Sequence, residues 1–222
     1  MMRGRRRLTC VHEAGHCLAR WFFGFHIDDA AVLSAEQVMA GETLPDRRDR
    51  QIRCEGIVNG HDIHFTLGPD IGMGGIDKAA YLRNGQRRAE IALVELMAGM
   101  AAEARYRRRP LFEVYWGGGE ADQEQARRIA EQWFGLNDAN AAIDLACRRA
   151  AALVRSLKGQ AAIGVIAEDF RQHGRLEGDQ IHKICEAAFG FAPAHDAWEE
   201  AWPPTLAQLR AGASAGVNDA RS

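Results

Sequence analysis

Residues 86–106, QRRAEIALVELMAGMAAEARY, are apolar around almost the whole circumference of a helix. A helix with apolar side chains on every side has to be enclosed by other elements, because no face of it is suited to water. Gly99 and the alanines near it let neighbouring helices approach closely. The chain has 222 residues, 47% of them hydrophobic, which is enough to supply that enclosure. The sequence therefore predicts that this helix is buried and closely packed by its neighbours.

Upstream of the buried helix the pattern changes from helical to irregular. In residues 8–23 apolar side chains recur at helical spacing, with Thr9 placed to cap the helix and Gly24 to end it. Residues from about 26 to 80 instead contain short apolar runs between clusters of Gly, Pro and Asp. This sequence pattern predicts a few short strands in an irregular, β-containing insertion.

The C-terminal half is predicted to be helical. A loop after the buried helix leads to a helix from about 121 to 134, and a longer helix follows that Asn137 or Asp138 caps. A helical hairpin then spans about 160–189, with its turn at Gly174. The fold class expected from these elements is mainly α with a small β-containing segment.

Composition limits the classes of protein that the chain can belong to. One domain is expected over residues 1–206, followed by a disordered tail over 207–222 that is rich in Ala, Gly and Ser. The formal net charge of −2 gives no reason to expect a nucleic-acid partner. The 5 cysteines show no C-x-x-C spacing, which fits a reducing compartment. Neither a signal peptide nor a membrane segment is recognisable, so a cytoplasmic location is predicted.

The segment HEAGH at residues 12–16 has the spacing of a metal site. Side chains four positions apart lie on one face of a helix, so His12 and His16 can offer imidazole nitrogens to a single ion. Glu13 then lies beside the open coordination position, where it can accept a proton from a metal-activated water and return it to a leaving amine. This is the H-E-x-x-H arrangement of zinc peptidases.

The competing interpretation of HEAGH is a surface helix that carries two histidines by chance. Two features favour the metal site. Ala14 and Gly15 are small, so another segment or a substrate can approach this face. The helix is otherwise apolar, and polar side chains within it need partners when they are buried.

A catalytic zinc requires a third protein ligand. Asp122 follows the glycines at 117–119 and falls in the first turn of the next helix, where an acid also occurs simply as a capping residue. Glu103 on the buried helix is the other acid considered, either as a ligand or as the partner of a metal-bound imidazole. The other histidines are not favoured; His61 and His64, for example, point to opposite faces of a predicted strand.

Several stretches, in this order, resemble one family, the proteolytic domain of the FtsH-type zinc peptidases, peptidase family M41. They are HEAGH (12–16), ELMAGMAAEARY (95–106), GGGEADQEQARRIAEQWFG (117–135) and RQHGRLEGDQI (171–181). In that family two histidines and an aspartate hold zinc, and the glutamate of the motif is the catalytic base. The resemblance thus implies an M41-like helical fold, Zn²⁺ as cofactor, His12, His16 and Asp122 as ligands, and Glu13 as base.

The same resemblance implies a zinc metalloendopeptidase that cuts flexible or unfolded polypeptides. The substrate would pair by its main chain with an exposed strand edge within 57–75. Family members carry an AAA+ ATPase and membrane segments before the peptidase, whereas no G-x-x-x-x-G-K-[ST] occurs here, so any partner ATPase is expected to be a separate chain. The family's A-E-E reads Ala-Glu-Ala here, with Ala104 in place of the second acid. Substrate specificity and oligomeric state are not predicted.

Two functions of other classes compete with the peptidase. The first is a catalytically silent binding or regulatory protein on an M41-like scaffold, in which any metal only stabilises the fold. The second is a DNA-binding helix-turn-helix over residues 160–189. The second helix of that hairpin has one lysine against Asp179 and Glu186, with Glu177 just before it, which is poor chemistry for a DNA groove.

Overall fold

The computed structural model describes residues 2–60, 78–114 and 119–193. Their fold is mainly α with a small antiparallel β part, which confirms the predicted fold class. The elements in chain order are α1 (Met2–Phe22), β1 (Ile27–Val32), α2 (Ala35–Met39), β2 (Leu44–Pro45), β3 (Gln51–Ile52), β4 (Gly56–Gly60), α3 (Lys78–Arg107), α4 (Leu111–Val114), α5 (Glu120–Arg155), α6 (Leu157–His173), β5 (Arg175–Glu177) and α7 (Gly178–Phe189).

Helix α3 is buried against other helices, as its sequence predicts. It packs against α1 on one side and α5 on another, and every residue from 91 to 104 is buried. Helix α1 approaches α3 closely at Gly15, where an added Cβ would lie 2.5 Å from the backbone oxygen of Ala98. The small residues in HEAGH therefore let α3 reach the helix face that carries the two histidines.

A three-stranded antiparallel sheet, in the order β4-β1-β5, packs against α1 and α7. Ala30 in the central strand pairs with Val58 on one side and with Leu176 on the other. In the described part of the chain β4 is an edge strand. The short strands predicted between 26 and 80 are present up to Gly60, and residues 61–77 lie outside the described residues.

The predicted turn between the last two helices contains a strand that the sequence analysis missed. Gly174 does end α6, with a positive φ of 77°, but residues 175–177 then add β5 to the sheet. Leu176 is 2% exposed, so it contributes to the core instead of to a solvent-exposed turn. Strand pairing over such a distance in sequence leaves no local signal.

The predicted helix caps were wrong at two positions. Helix α1 begins at Met2, so Thr9 lies inside it, and its hydroxyl donates a hydrogen bond to Glu55 instead (3.1 Å). The two predicted helices after residue 120 form one bent element, α5, which breaks at Gly135 with a φ of 79°. The break precedes Asn137, so neither Asn137 nor Asp138 caps the second half.

The predicted loop after α3 also contains the short helix α4. Residues 115–118 and the predicted tail over 207–222 lie outside the described residues. No single helix in the described ranges combines the length and the apolar character needed to cross a membrane; by those two criteria α5 and α6 pass only as a pair, and they meet at a bend of 79°.

Candidate metal centre

Helix α1 turns both of its motif imidazoles toward one glycine of α3. The Nε2 atoms of His12 and His16 lie 3.1 Å apart, and both side chains are almost fully buried. A Cβ built on Gly99 would lie 2.4 Å from Nε2 of His16 and 2.7 Å from Nε2 of His12. A glycine at this position of α3 thus leaves room for the two nitrogens to face a common point.

Helix α5 brings a carboxylate to the same point. Asp122 lies in its first turn, and Oδ2 is 3.0 Å from Nε2 of His12 and 3.5 Å from Nε2 of His16. Two donors that bind zinc at about 2.0–2.1 Å with tetrahedral angles lie about 3.3–3.5 Å apart. The three donor atoms already have nearly this spacing, and within the described residues they form the one cluster of its kind.

The outer nitrogen of His16 is held by α3. Nδ1 lies 3.0 Å from the backbone oxygen of Glu95 and 3.5 Å from its carboxylate. That carboxylate accepts a hydrogen bond from Nε of Arg20 at 3.1 Å, and both side chains are buried. If Nδ1 carries the ring proton and donates it to Glu95, Nε2 is free to bind a metal.

The outer nitrogen of His12 faces Glu103, whose carboxylate lies 3.6 Å from Nδ1. The other oxygen of this carboxylate is 2.6 Å from the guanidinium of Arg107. Of the two roles considered for Glu103, the geometry therefore favours the partner of an imidazole over the ligand, because it lies on the side of the ring opposite Asp122.

Glu13 lies next to the cluster under strand β4. It is 8% exposed, and a Cβ built on Gly56 would lie 2.6 Å from both Cγ and Oε1 of Glu13. Burial raises the pKa of the Glu13 carboxyl above its usual value, although the neighbouring imidazoles partly oppose this effect. A carboxylate with a raised pKa is suited to accept and return a proton near neutral pH.

The electrostatics of the three clustered side chains are strongly coupled. Burial alone would lower the pKa of His12, but its contacts with Asp122 and Glu103 outweigh burial and raise the pKa to about 9. The pKa of His16 is raised in the same way, mainly by Asp122, against the effect of burial. The two imidazoles in turn hold the pKa of the Asp122 carboxyl well below its usual range. The carboxylates around the two imidazoles therefore stabilise positive charge at this point, whether protonated rings or a metal cation carry it.

An open cavity of about 510 Å³ gives access to the cluster. It is lined by the side chains described above, by residues 54–58 of β4 and the preceding turn, and by Gln125 of α5. Sequence analysis missed Glu95, Arg20 and Gly56 as parts of this site. Glu95 had a usable signal, because an acid within an apolar helix needs a buried partner, which is the reasoning that identified Glu103.

Most of the other histidines either lie away from the metal-ligand cluster or fall outside the described residues. His26 pairs with Asp28 at the surface at 3.0 Å. His61, His64 and His195 lie outside the described residues.

Comparisons of the sequence with models of known families and with curated proteins found no match. The functional assignment therefore depends on the geometry of the site and on the sequence motifs.

Proposed function

We propose that this chain is a zinc-dependent endopeptidase of the M41 type. The observation that carries the proposal is the convergence of His12, His16 and Asp122, with donor atoms 3.0–3.5 Å apart, beside the buried carboxylate of Glu13. Two imidazoles and one carboxylate are a known ligand set of catalytic zinc, with one coordination position left for water. The four sequence stretches that resemble family M41, and that occur in the same order as in that family, support the same assignment.

The residues fit zinc in their spacing as well as in their chemistry. The hard cations Ca²⁺ and Mg²⁺ prefer oxygen donors, so two imidazoles argue against them. The same set of two histidines and one carboxylate also occurs in iron(II) oxygenases. The tetrahedral spacing and the carboxylate of Glu13 beside the donors favour zinc, and elemental analysis of the purified protein distinguishes the two metals.

Each side chain has a defined part in the proposed reaction. Bound zinc would polarise the scissile carbonyl and lower the pKa of a water molecule toward about 7. Glu13 accepts a proton from the attacking water and transfers it to the leaving amine. Glu95 and Glu103 hold the outer nitrogens of the two imidazoles, which keeps both rings oriented toward the same point.

The substrate we propose is an extended polypeptide. Strand β4 is an edge strand in the described part of the sheet, and it forms one wall of the cavity beside Glu13. An extended peptide can add to such an edge by main-chain hydrogen bonds. The predicted segment for this pairing was 57–75, of which residues 57–60 are described. Flexible or unfolded chains are the expected substrates, and a separate AAA+ ATPase is the proposed partner for folded ones.

The test compares Glu13→Gln with wild-type protein and with Glu131→Gln, an exposed substitution on α5. Wild-type protein and Glu131→Gln should cleave casein and lose the activity with a zinc chelator. Glu13→Gln should retain zinc and lose at least about 100-fold in rate, because the proton acceptor is gone. Cleavage by Glu13→Gln at the wild-type rate would refute the mechanism. Zinc-loaded wild-type protein that is inactive on unfolded substrates would favour the binding or regulatory alternative.

A further inference from the structure

A second cavity, of about 220 Å³, lies between α1, α3, α5 and α6 and shares no lining residue with the metal cavity. Its apolar wall consists of side chains that are at most 9% exposed, namely Val11, Ala102, Val154, Ile163 and Ala167. The volume is below the range of about 300–1,000 Å³ that is usual for sites of small-molecule ligands. The cavity is therefore suited to a single apolar side chain.

The rim of this cavity carries an excess of positive charge. It contains three arginines, Arg7, Arg105 and Arg171, and one acid, Glu168. Arg171 forms an ion pair with Glu168, to whose carboxylate its Nε donates a hydrogen bond at 2.8 Å. This pairing, with smaller contributions from a hydrogen bond with Gln172 and from the charge of Arg7, lowers the pKa of the Glu168 carboxyl to about 2. Glu168 therefore stays ionised and offsets one of the three positive charges on the rim.

In the described part of the chain, the other two guanidinium groups make their direct contacts with neutral side chains, and Arg7 is in addition close enough to Glu168 for the two charges to attract each other. Arg7 lies over the ring of Tyr106 at 5.4 Å, and Arg105 donates a hydrogen bond to the amide oxygen of Gln160 at 2.6 Å. A cation–π contact or a neutral hydrogen bond leaves most guanidinium donors available. Arg7 and Arg105 thus offer charged donors beside an apolar wall.

We propose that this cavity binds the C-terminal residue of a polypeptide, with its apolar side chain against the wall and its α-carboxylate on Arg7 and Arg105. Guanidinium groups match carboxylates by paired, charge-assisted hydrogen bonds. A phosphate would make no use of the apolar wall, and the cavity is too small for a lipid chain. The proposal is independent of the peptidase assignment, because none of its residues belongs to the metal cavity.

Gly164 on α6 provides a sharp test. It lines the cavity and is exposed, and a Cβ added to it would meet no atom within 4 Å. Its backbone is helical, so a larger residue is accommodated without backbone strain. Gly164→Leu should therefore fill the cavity while the protein remains folded, and Gly164→Ala is the matched control that leaves most of the volume open.

The experiment measures binding of acetyl-Ala-Ala-Phe and of its C-terminal amide to the wild-type protein by calorimetry and by NMR. The free acid should bind at least about tenfold more tightly than the amide, because the amide lacks the charge that the arginines recognise. Gly164→Leu should lose binding of the acid, and Gly164→Ala should keep it. Arg7→Gln combined with Arg105→Gln should reduce the affinity for the acid to that for the amide.

Three results would overturn the proposal. Equal binding of acid and amide would exclude carboxylate recognition. Unchanged binding by Gly164→Leu would place the peptide elsewhere, for example in the metal cavity. Absence of detectable binding at millimolar peptide would show that the cavity is not a peptide site. Thermal unfolding of each variant establishes that it is folded, so a loss of binding is not mistaken for a loss of structure.

Discussion

Gly99 lies so close to His16 that a single added methyl group on this glycine would come within 2.4 Å of Nε2 of the imidazole. The same methyl group would lie 2.7 Å from Nε2 of His12. Both contacts are far shorter than carbon and nitrogen atoms tolerate without bonding. The absence of a side chain at Gly99 therefore allows the two rings to direct their nitrogens toward Asp122.

Substitution of Gly99 by alanine should separate metal binding from helix stability. The methyl group pushes the imidazoles apart, and we expect zinc affinity to fall by at least about tenfold. Alanine is about 1 kcal/mol more favourable than glycine inside a helix, so the helix itself is not weakened by propensity. Zinc affinity is measured by competition with a chromogenic chelator. Gly164→Ala makes the same exchange in an open position of α6 and should leave zinc affinity unchanged.

Asp122 and Glu120 allow the roles of ligand and helix cap to be distinguished. Both acids lie in the first turn of α5, where negative charge is favourable at a helix N-terminus, but Glu120 is exposed and Asp122 faces the imidazoles. Asp122→Asn should lose most of the bound zinc, whereas Glu120→Gln should retain it. Metal content after dialysis is the measurement. Equal zinc retention by both variants would mean that Asp122 only caps the helix.

Gly56 leaves the space that the Glu13 side chain occupies. A Cβ at residue 56 would lie 2.6 Å from Cγ of Glu13, so alanine at this position should displace the carboxylate. Gly56 is not among the glycines with a positive φ, so the effect does not come from the backbone. We expect kcat/KM to fall about 100-fold with zinc retained, because a small displacement of a reacting group costs about that much. If Gly56→Ala cleaves casein at the wild-type rate, Glu13 does not act from this position.

The stability of the chelator-treated protein should depend on pH through the clustered side chains. The folded-state pKa of His12 is about 9, above the value of 6.5 expected in the unfolded chain, and that of His16 is also raised. Such groups contribute stability that is fully present below about pH 6.5 and is lost as pH rises toward about 9. Asp122, whose pKa is lowered, contributes stability above about pH 4 that is lost in stronger acid.

Urea unfolding of the chelator-treated protein at pH 6 and pH 9 measures this effect, and we expect a lower midpoint at pH 9. Asp122→Asn removes the largest of the contributions that raise the two histidine pKa values, so its midpoint should change less between the two pH values. Zinc-loaded protein should show the opposite trend between pH 5 and 7, because a metal requires neutral imidazoles. A higher midpoint at pH 9 for the chelator-treated wild type would contradict the prediction.

The elements that sequence analysis identified are those with a local signal. The burial of α3 follows from the apolar side chains around its circumference. His12 and His16 lie on the same face of α1 because they are four residues apart. The sequence also placed Asp122 in the first turn of a helix. That position fits a cap as well as a ligand, so only the tertiary structure shows that the side chain faces the imidazoles.

The parts that were missed depend on contacts between distant segments. Strand β5 exists because Leu176 reaches the central strand of the sheet at Ala30, and a three-residue strand has no periodicity to detect. The partner of Glu95 is Arg20, 75 positions away, and nothing in either local sequence pairs them. The start of α1 was misplaced because Thr9 fits a capping pattern, although the helix extends past Thr9 to Met2.

Asp122 and His12 stand 110 positions apart, and α3 lies between them in the chain. No fragment that lacks any of these three helices can therefore hold all the donors together with the glycine that makes room for them. If zinc binds as proposed, its retention by a purified sample reports on the correct assembly of these three helices. A cleaved or partly folded preparation should reveal itself by losing its ion before it loses its helical circular dichroism.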